Sequence, residues 1–174
     1  MRQALQQAAL AVEAGEVPVG AIVVRAQTVI GRAYNQVELL KDPTAHAEMI
    51  AITQAASAIG DWRLTDTVLY VTKEPCPMCA GAIALARIPK VVFGASDPQS
   101  TGTLNAGEIV RGVLEEECRS ILQNFFRTAR RQGEPTTDNG RQTTDREQEI
   151  DTRCQTPRDS GQAPDLSRSE RDAG

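Results

Sequence analysis

Two six-residue runs, Thr67–Thr72 (TVLYVT) and Lys90–Ala95 (KVVFGA), constrain this chain most. Each is rich in β-branched and apolar residues with little polar alternation, the pattern of a strand covered on both faces. The segments around them supply the cover. Residues 2–14 place Leu5, Ala8, Ala9 and Val12 at helical spacing, with Gly15 as a C-terminal stop. Val19–Arg25 and Thr28–Tyr34 read as two strands joined by the turn Ala26-Gln27. A loop is expected over Asn35–Pro43, then a helix capped by Thr44, reaching about Ala58 and ended by Gly60. Pro77 suits the first position of another helix, which extends to about Arg87. A short last strand at Glu108–Val110 and an amphipathic helix over Leu114–Arg131 complete the order. The expected fold class is α/β: three layers, α-β-α, with one mixed central sheet and helices on both faces.

Composition divides the chain. From Gly133 to Gly174 the only apolar residues are Ile150, Cys154, Ala163, Leu166 and Ala173. So few cannot offset the entropy of ordering the segment, so residues 132–174 are expected to form a disordered polar tail behind a domain of residues 1–131. The tail carries ten acidic and six basic residues, which accounts for the whole net charge of −4. Residues 1–131, with thirteen of each sign, are neutral, so any grip on nucleic acid must come from a local patch. Met1 to Gln7 are polar and helical in pattern, unlike a secretory signal. No apolar run approaches the ~20 residues of a membrane span. A cytoplasmic protein without membrane contact is the expectation.

Four cysteines in 174 residues do not make a disulfide framework, and Cys76 and Cys79 have the spacing of metal ligands. His46 is the sole histidine, two residues before Glu48. Thiolates and imidazole suit zinc, and three protein ligands leave a fourth position open for water. In mid-helix, residues two apart point about 200° from each other and could not serve one ion. In a helix's first turn, however, side chains can converge on the axis end. Thr44 as cap puts His46 and Glu48 in such a turn. Cys76 then falls at the cap of the next helix and Cys79 three residues in, so two positive helix ends face the metal. Two other readings stay open. One is a closed structural zinc site with Cys118 or Cys154 as fourth ligand, although Cys118 is more simply a core thiol. The other is chance, since a lone His-x-Glu is common.

His-x-Glu followed by Pro-Cys-x-x-Cys resembles the signature of zinc-dependent nucleobase deaminases. Over residues 1–131 the chain is similar to the tRNA adenosine deaminase (TadA-type) family, with a cytidine deaminase-like fold. The likeness rests on EVPVGA from Glu16, on Asn35, and on DPTAHAEMIA from Asp42. It continues through RLTDTVLYVT, EPCPMCAGAI, VVFGASD and the late Glu117–Arg127 stretch. The resemblance implies hydrolysis of adenosine to inosine at the first anticodon position of a tRNA, by a homodimer holding one Zn2+ per chain. His46, Cys76 and Cys79 would be the ligands. Glu48 would take a proton from the water that adds to C6 of adenine and return one to the departing amine. Asn35 and the backbone of Ala47 would contact the base, and Asp97 would lie near a flanking nucleotide. For the rest of the anticodon stem-loop the candidates are Phe125, Phe126, Arg127, Arg130 and Arg131, since rings stack on bases and arginines bind phosphates. One of the two phenylalanines is expected to pack in the core.

The chain departs from the family pattern in three places. Met1 aligns inside the family's first helix. Lys73 stands where an apolar residue is usual. Between Asp97 and Glu108 about a dozen residues are missing, among them a histidine-bearing, RNA-gripping segment. Parallel strands need crossovers of roughly a dozen residues or more, so an irregular last strand is expected after Ser96–Gly107. Two alternative functions follow: a deaminase of a free base such as guanine, and a silent RNA-binding or partner subunit.

Overall fold

The computed structural model describes residues 1–97 and 104–133; the expected tail, from residue 134 on, lies outside the described residues. The elements are α1 (Arg2–Glu13), β1 (Gly20–Arg25), β2 (Thr28–Tyr34), α2 (Val37–Leu40), α3 (Ala47–Ile59), β3 (Thr67–Lys73), α4 (Pro77–Leu85), β4 (Lys90–Ala95), β5 (Glu108–Val110) and α5 (Glu115–Gly133). One five-stranded sheet has the order β2-β1-β3-β4-β5. It is mixed: β1 is antiparallel to β2 and β3, while β3, β4 and β5 run parallel. The β1–β2 turn places Ala26 and Gln27 at φ 45° and 66°. Two consecutive left-handed residues match the right-handed twist of a tight hairpin.

Helices cover both faces, as an α/β architecture requires. On one side Ala47, Ala51 and Ala55 of α3 and Ile83 of α4 pack against Val23, Leu69, Val71 and Phe93 of the sheet. Alanines bring α3 close, and Gly31 of β2 lets it come closer still: a Cβ there would lie 2.3 Å from the Ala51 carbonyl oxygen. On the other side α1 packs on β1, and α5 on β4. There Gly94 meets Cys118, whose Sγ would be 2.3 Å from an added Cβ. Gly15 and Gly60, at φ 74° and 76°, follow α1 and α3 in the left-handed conformation that ends helices.

Three local expectations are corrected. The Asn35–Pro43 segment contains a turn of helix, α2, whose Leu39 N–H donates to the distant Glu16 carboxylate (2.7 Å). Thr44 does not cap α3. Its N–H and its hydroxyl both donate to Asp42 Oδ1 (2.8 and 2.7 Å), a local side-chain turn that competes with capping. The helix begins at Ala47 with His46 as cap. Finally, the last strand is regular: Lys90, Val91 and Val92 pair in parallel with Glu108, Ile109 and Val110. The crossover is at the short limit, and three residue pairs suffice to complete the sheet edge.

Candidate metal centre and active-site cavity

Two helices start side by side at the carboxyl end of the parallel strands. His46 caps α3 and Cys76 caps α4, each in extended conformation and each without a side-chain capping hydrogen bond. Pro77 starts α4 with φ preset for a helix. The cap side chains therefore turn outward, and Cys79, fully buried in the first turn, joins them. His46 Nδ1 lies 3.6 Å from Cys76 Sγ and 3.5 Å from Cys79 Sγ. All three donor atoms fall within 4.8 Å of one another. Zinc bonds of about 2.3 Å to sulfur and about 2.0 Å to nitrogen at tetrahedral angles set an S···N edge of about 3.6 Å. Both S···N edges of the donor set match that ion.

The electrostatics agree. Burial, then the Glu48 carboxylate and Cys76, push the Cys79 thiol far above its ordinary range. A divalent cation reverses that cost, because a coordinating thiol is deprotonated outright. Cys118 is not a fourth ligand. It sits on α5 against Gly94, and the triad is the only such cluster of metal-ligating side chains among the described residues. Cys154 lies outside the described residues.

Glu48, in the first turn of α3, is 3% exposed. Burial raises its carboxyl pKa, while its own backbone N–H, His46, Cys79 and Lys73 pull the other way. A carboxylate so placed is a stronger proton acceptor than one in water. It lines a cavity of about 310 Å³ together with His46, Cys76, Asn35, Glu16 and Lys73. Ala47, wholly buried, is the first residue of α3 beside them. Asn35 is held at both ends. Its N–H donates to the Val19 carbonyl (3.0 Å) and its Nδ2 to Glu16 Oε2 (3.1 Å). Asp97 is tied to two residues of the wall: its N–H donates to Glu74 Oε2 (3.0 Å) and its carboxylate pairs with Lys73.

Residues of α5 are not among those lining this cavity. Phe125 and Phe126 meet edge to face at 5.4 Å and then diverge. Phe125 lines a groove between α1 and α5 with Val12 and Ile121, whereas Phe126 is 45% exposed. Arg127 donates to Asn124, and Arg130 and Arg131 are exposed in the last turn of the helix. Sequence reasoning missed Glu16 and Glu74 as parts of the site. Nothing local to Glu16 reveals that its two oxygens reach Leu39 and Asn35; the one hint is a charged residue beside a helix stop, just before a buried strand.

A family model for MafB19-like deaminases matches residues 1–130. The tRNA-specific adenosine deaminase of Bacillus subtilis is 48% identical over 143 aligned positions, covering 75% of this chain and 89% of that protein. The chain belongs to the tRNA adenosine deaminase family. It is thus a hydrolytic deaminase of a zinc-dependent class. A solved tRNA:A34 deaminase, studied for A-to-I editing at the wobble position, superposes on this deaminase with a TM-score of 0.66 at 41% identity, covering 70% of this chain and 97% of the other. The guanine deaminase of Bacillus subtilis gives a TM-score of 0.52 at 41% identity, over 55% of this chain and 61% of its own.

Proposed function

We propose that this deaminase converts adenosine to inosine at the wobble position of a tRNA anticodon. The observation that carries the reading is the convergence of His46, Cys76, buried Glu48 and the anchored Asn35 on one cavity. We assign His46, Cys76 and Cys79 as ligands of one Zn2+ per chain; bound there, zinc supplies the Lewis acidity that makes water a usable nucleophile near neutral pH. Glu48 accepts a proton from the water that adds to C6 of adenine. It then delivers a proton to the amine, which leaves as ammonia, so adenosine and water become inosine and ammonia with Glu48 unchanged. Asn35 and the Ala47 N–H orient the base, and Asp97 serves the flanking nucleotide. Phe126, Arg127, Arg130 and Arg131 meet the stem-loop away from the cavity.

Residues 1–131 are the catalytic unit in this reading, and the polar composition of 132–174 marks that segment as a tail. No helix among the described residues is long and apolar enough to cross a membrane, and a cytoplasmic location suits a tRNA substrate. A homodimer is supported by the outer face of α3 and α4, where Leu85 is 77% and Trp62 55% exposed beside an apolar groove. Contiguous apolar surface of this kind marks protein contacts. The decisive assay offers an anticodon stem-loop, free adenosine and free guanine in parallel. Inosine at the wobble position with little turnover of the other two is the expected result; guanine turnover with an inert stem-loop would overturn the reading.

A further inference from the structure

Apart from Lys73, every charged side chain lining the active-site cavity is acidic or a metal-ligand candidate: Glu16, Glu38, Glu48 and Glu74 contribute carboxylates. An RNA entering such a cavity brings further negative charge. The neutral balance of residues 1–131 provides no general attraction to offset this, so individual cations must. Lys73 is the cation at the place where the target nucleotide would sit. It is also unusually well held. Lys73 ends β3 and pairs in register with Ala95 of β4. Glu74 N–H donates to the Ala95 carbonyl (2.8 Å), Asp97 N–H donates to Glu74 Oε2, and the Asp97 carboxylate closes the ring on the Lys73 ammonium. With side chains 31% and 24% exposed, this is the least exposed ion pair among the described residues. It is therefore the pair least screened by salt.

An ammonium has three N–H donors, and one carboxylate oxygen occupies one of them. We infer that Lys73 is a phosphate-contacting residue, gripping the RNA backbone at the target nucleotide while Asp97 fixes its position. This rests on the tRNA reading above and deepens it. The pair does two jobs. Asp97 removes the freedom that a lysine loses on binding, and Lys73 neutralises a carboxylate that would otherwise repel the backbone. A purely structural strut between β3 and the chain after β4 would do neither for RNA.

The test compares the wild type with Lys73→Gln and Lys73→Arg. Binding of a fluorescent anticodon stem-loop is followed by anisotropy across a salt series, with melting temperature and stem-loop turnover measured alongside. Losing one phosphate contact should reduce the slope of log affinity against log salt by about 0.7–1 in the glutamine variant. Affinity at low salt should fall severalfold and KM should rise by a similar factor. Lys73→Arg should restore the wild-type slope. An unchanged slope in Lys73→Gln overturns the inference, and a lowered melting temperature with an unchanged slope assigns the pair to structure instead. Absence of wild-type turnover on the stem-loop would count against the proposed function; turnover with an unaltered salt slope would count against Lys73 alone.

Discussion

A carboxylate with no exposed surface, Glu16, organises part of the cavity wall. One oxygen accepts from Leu39 N–H and so anchors α2; the other accepts from Asn35 Nδ2 and fixes which way that amide faces. Glu16→Ala leaves the buried Asn35 amide without this partner, at a cost of about 1–3 kcal/mol at most, while the N–H of exposed Leu39 can turn to water. Loss of stability in urea titration and a fall in kcat/KM are expected, and Glu16→Gln should recover much of the first but less of the second. Equal activity in both variants would show that Asn35 is oriented by something else. Glu48 behaves differently. The proposed mechanism gives it proton transfer and no ligation, so Glu48→Ala should keep its zinc by elemental analysis and its melting temperature, while inosine formation falls by about 10²–10⁴-fold. Loss of zinc in that variant would mean the role is misassigned.

At the scale of elements, the site exists because α3 and α4 begin at adjacent points above the sheet. That placement depends on how closely the helices approach the strands. On the opposite face, β4 and α5 touch at Gly94 and Cys118, with the Thr72 carbonyl 2.8 Å from where a Cβ would be. Gly94→Ala should destabilise the domain by about 1–3 kcal/mol through overpacking. Adding Cys118→Ala should recover only part, since the Thr72 carbonyl remains in the way. A Gly94→Ala domain as stable as the wild type in denaturant would remove the close approach from the account. Element identity was largely legible, because strands β3 and β4 are continuous apolar runs and Pro77 and Gly60 mark a helix start and a helix end. Element entry was less so. The DPT sequence before His46 offered a capping threonine, yet Asp42 took both of its donors, and the helix started later.

For the molecule as a whole, two expectations can be tested directly. Because α5 runs to Gly133, deletion of residues 134–174 should leave melting temperature and activity nearly unchanged. A drop in soluble protein would reveal a docking role for that segment. The exposed α3–α4 face leads to the second. If a second copy covers it, Leu85→Asp should shift the mass measured by light scattering from dimer to monomer. A wild-type monomer would leave Leu85 and Trp62 without that explanation. The sheet keeps its fifth strand, with Lys90–Val92 paired in parallel to Glu108–Val110.

The sequence by itself determined the α/β class and nearly every element, and it singled out His46, Cys76 and Cys79, whose donor atoms the fold brings together. These depend on spacing within a few residues, where helix and strand periods act directly. Only the tertiary structure decided that Cys118 lies away from the triad, that Phe125 and Phe126 part company, and that Glu16 supports Asn35. It also turned Lys73, a departure from the family pattern, into one half of an ion pair with Asp97. Each of these joins residues of different elements or depends on which side of an element packs. Such contacts are set by which strands become neighbours and how closely the helices seat on them, which no local pattern of residues records.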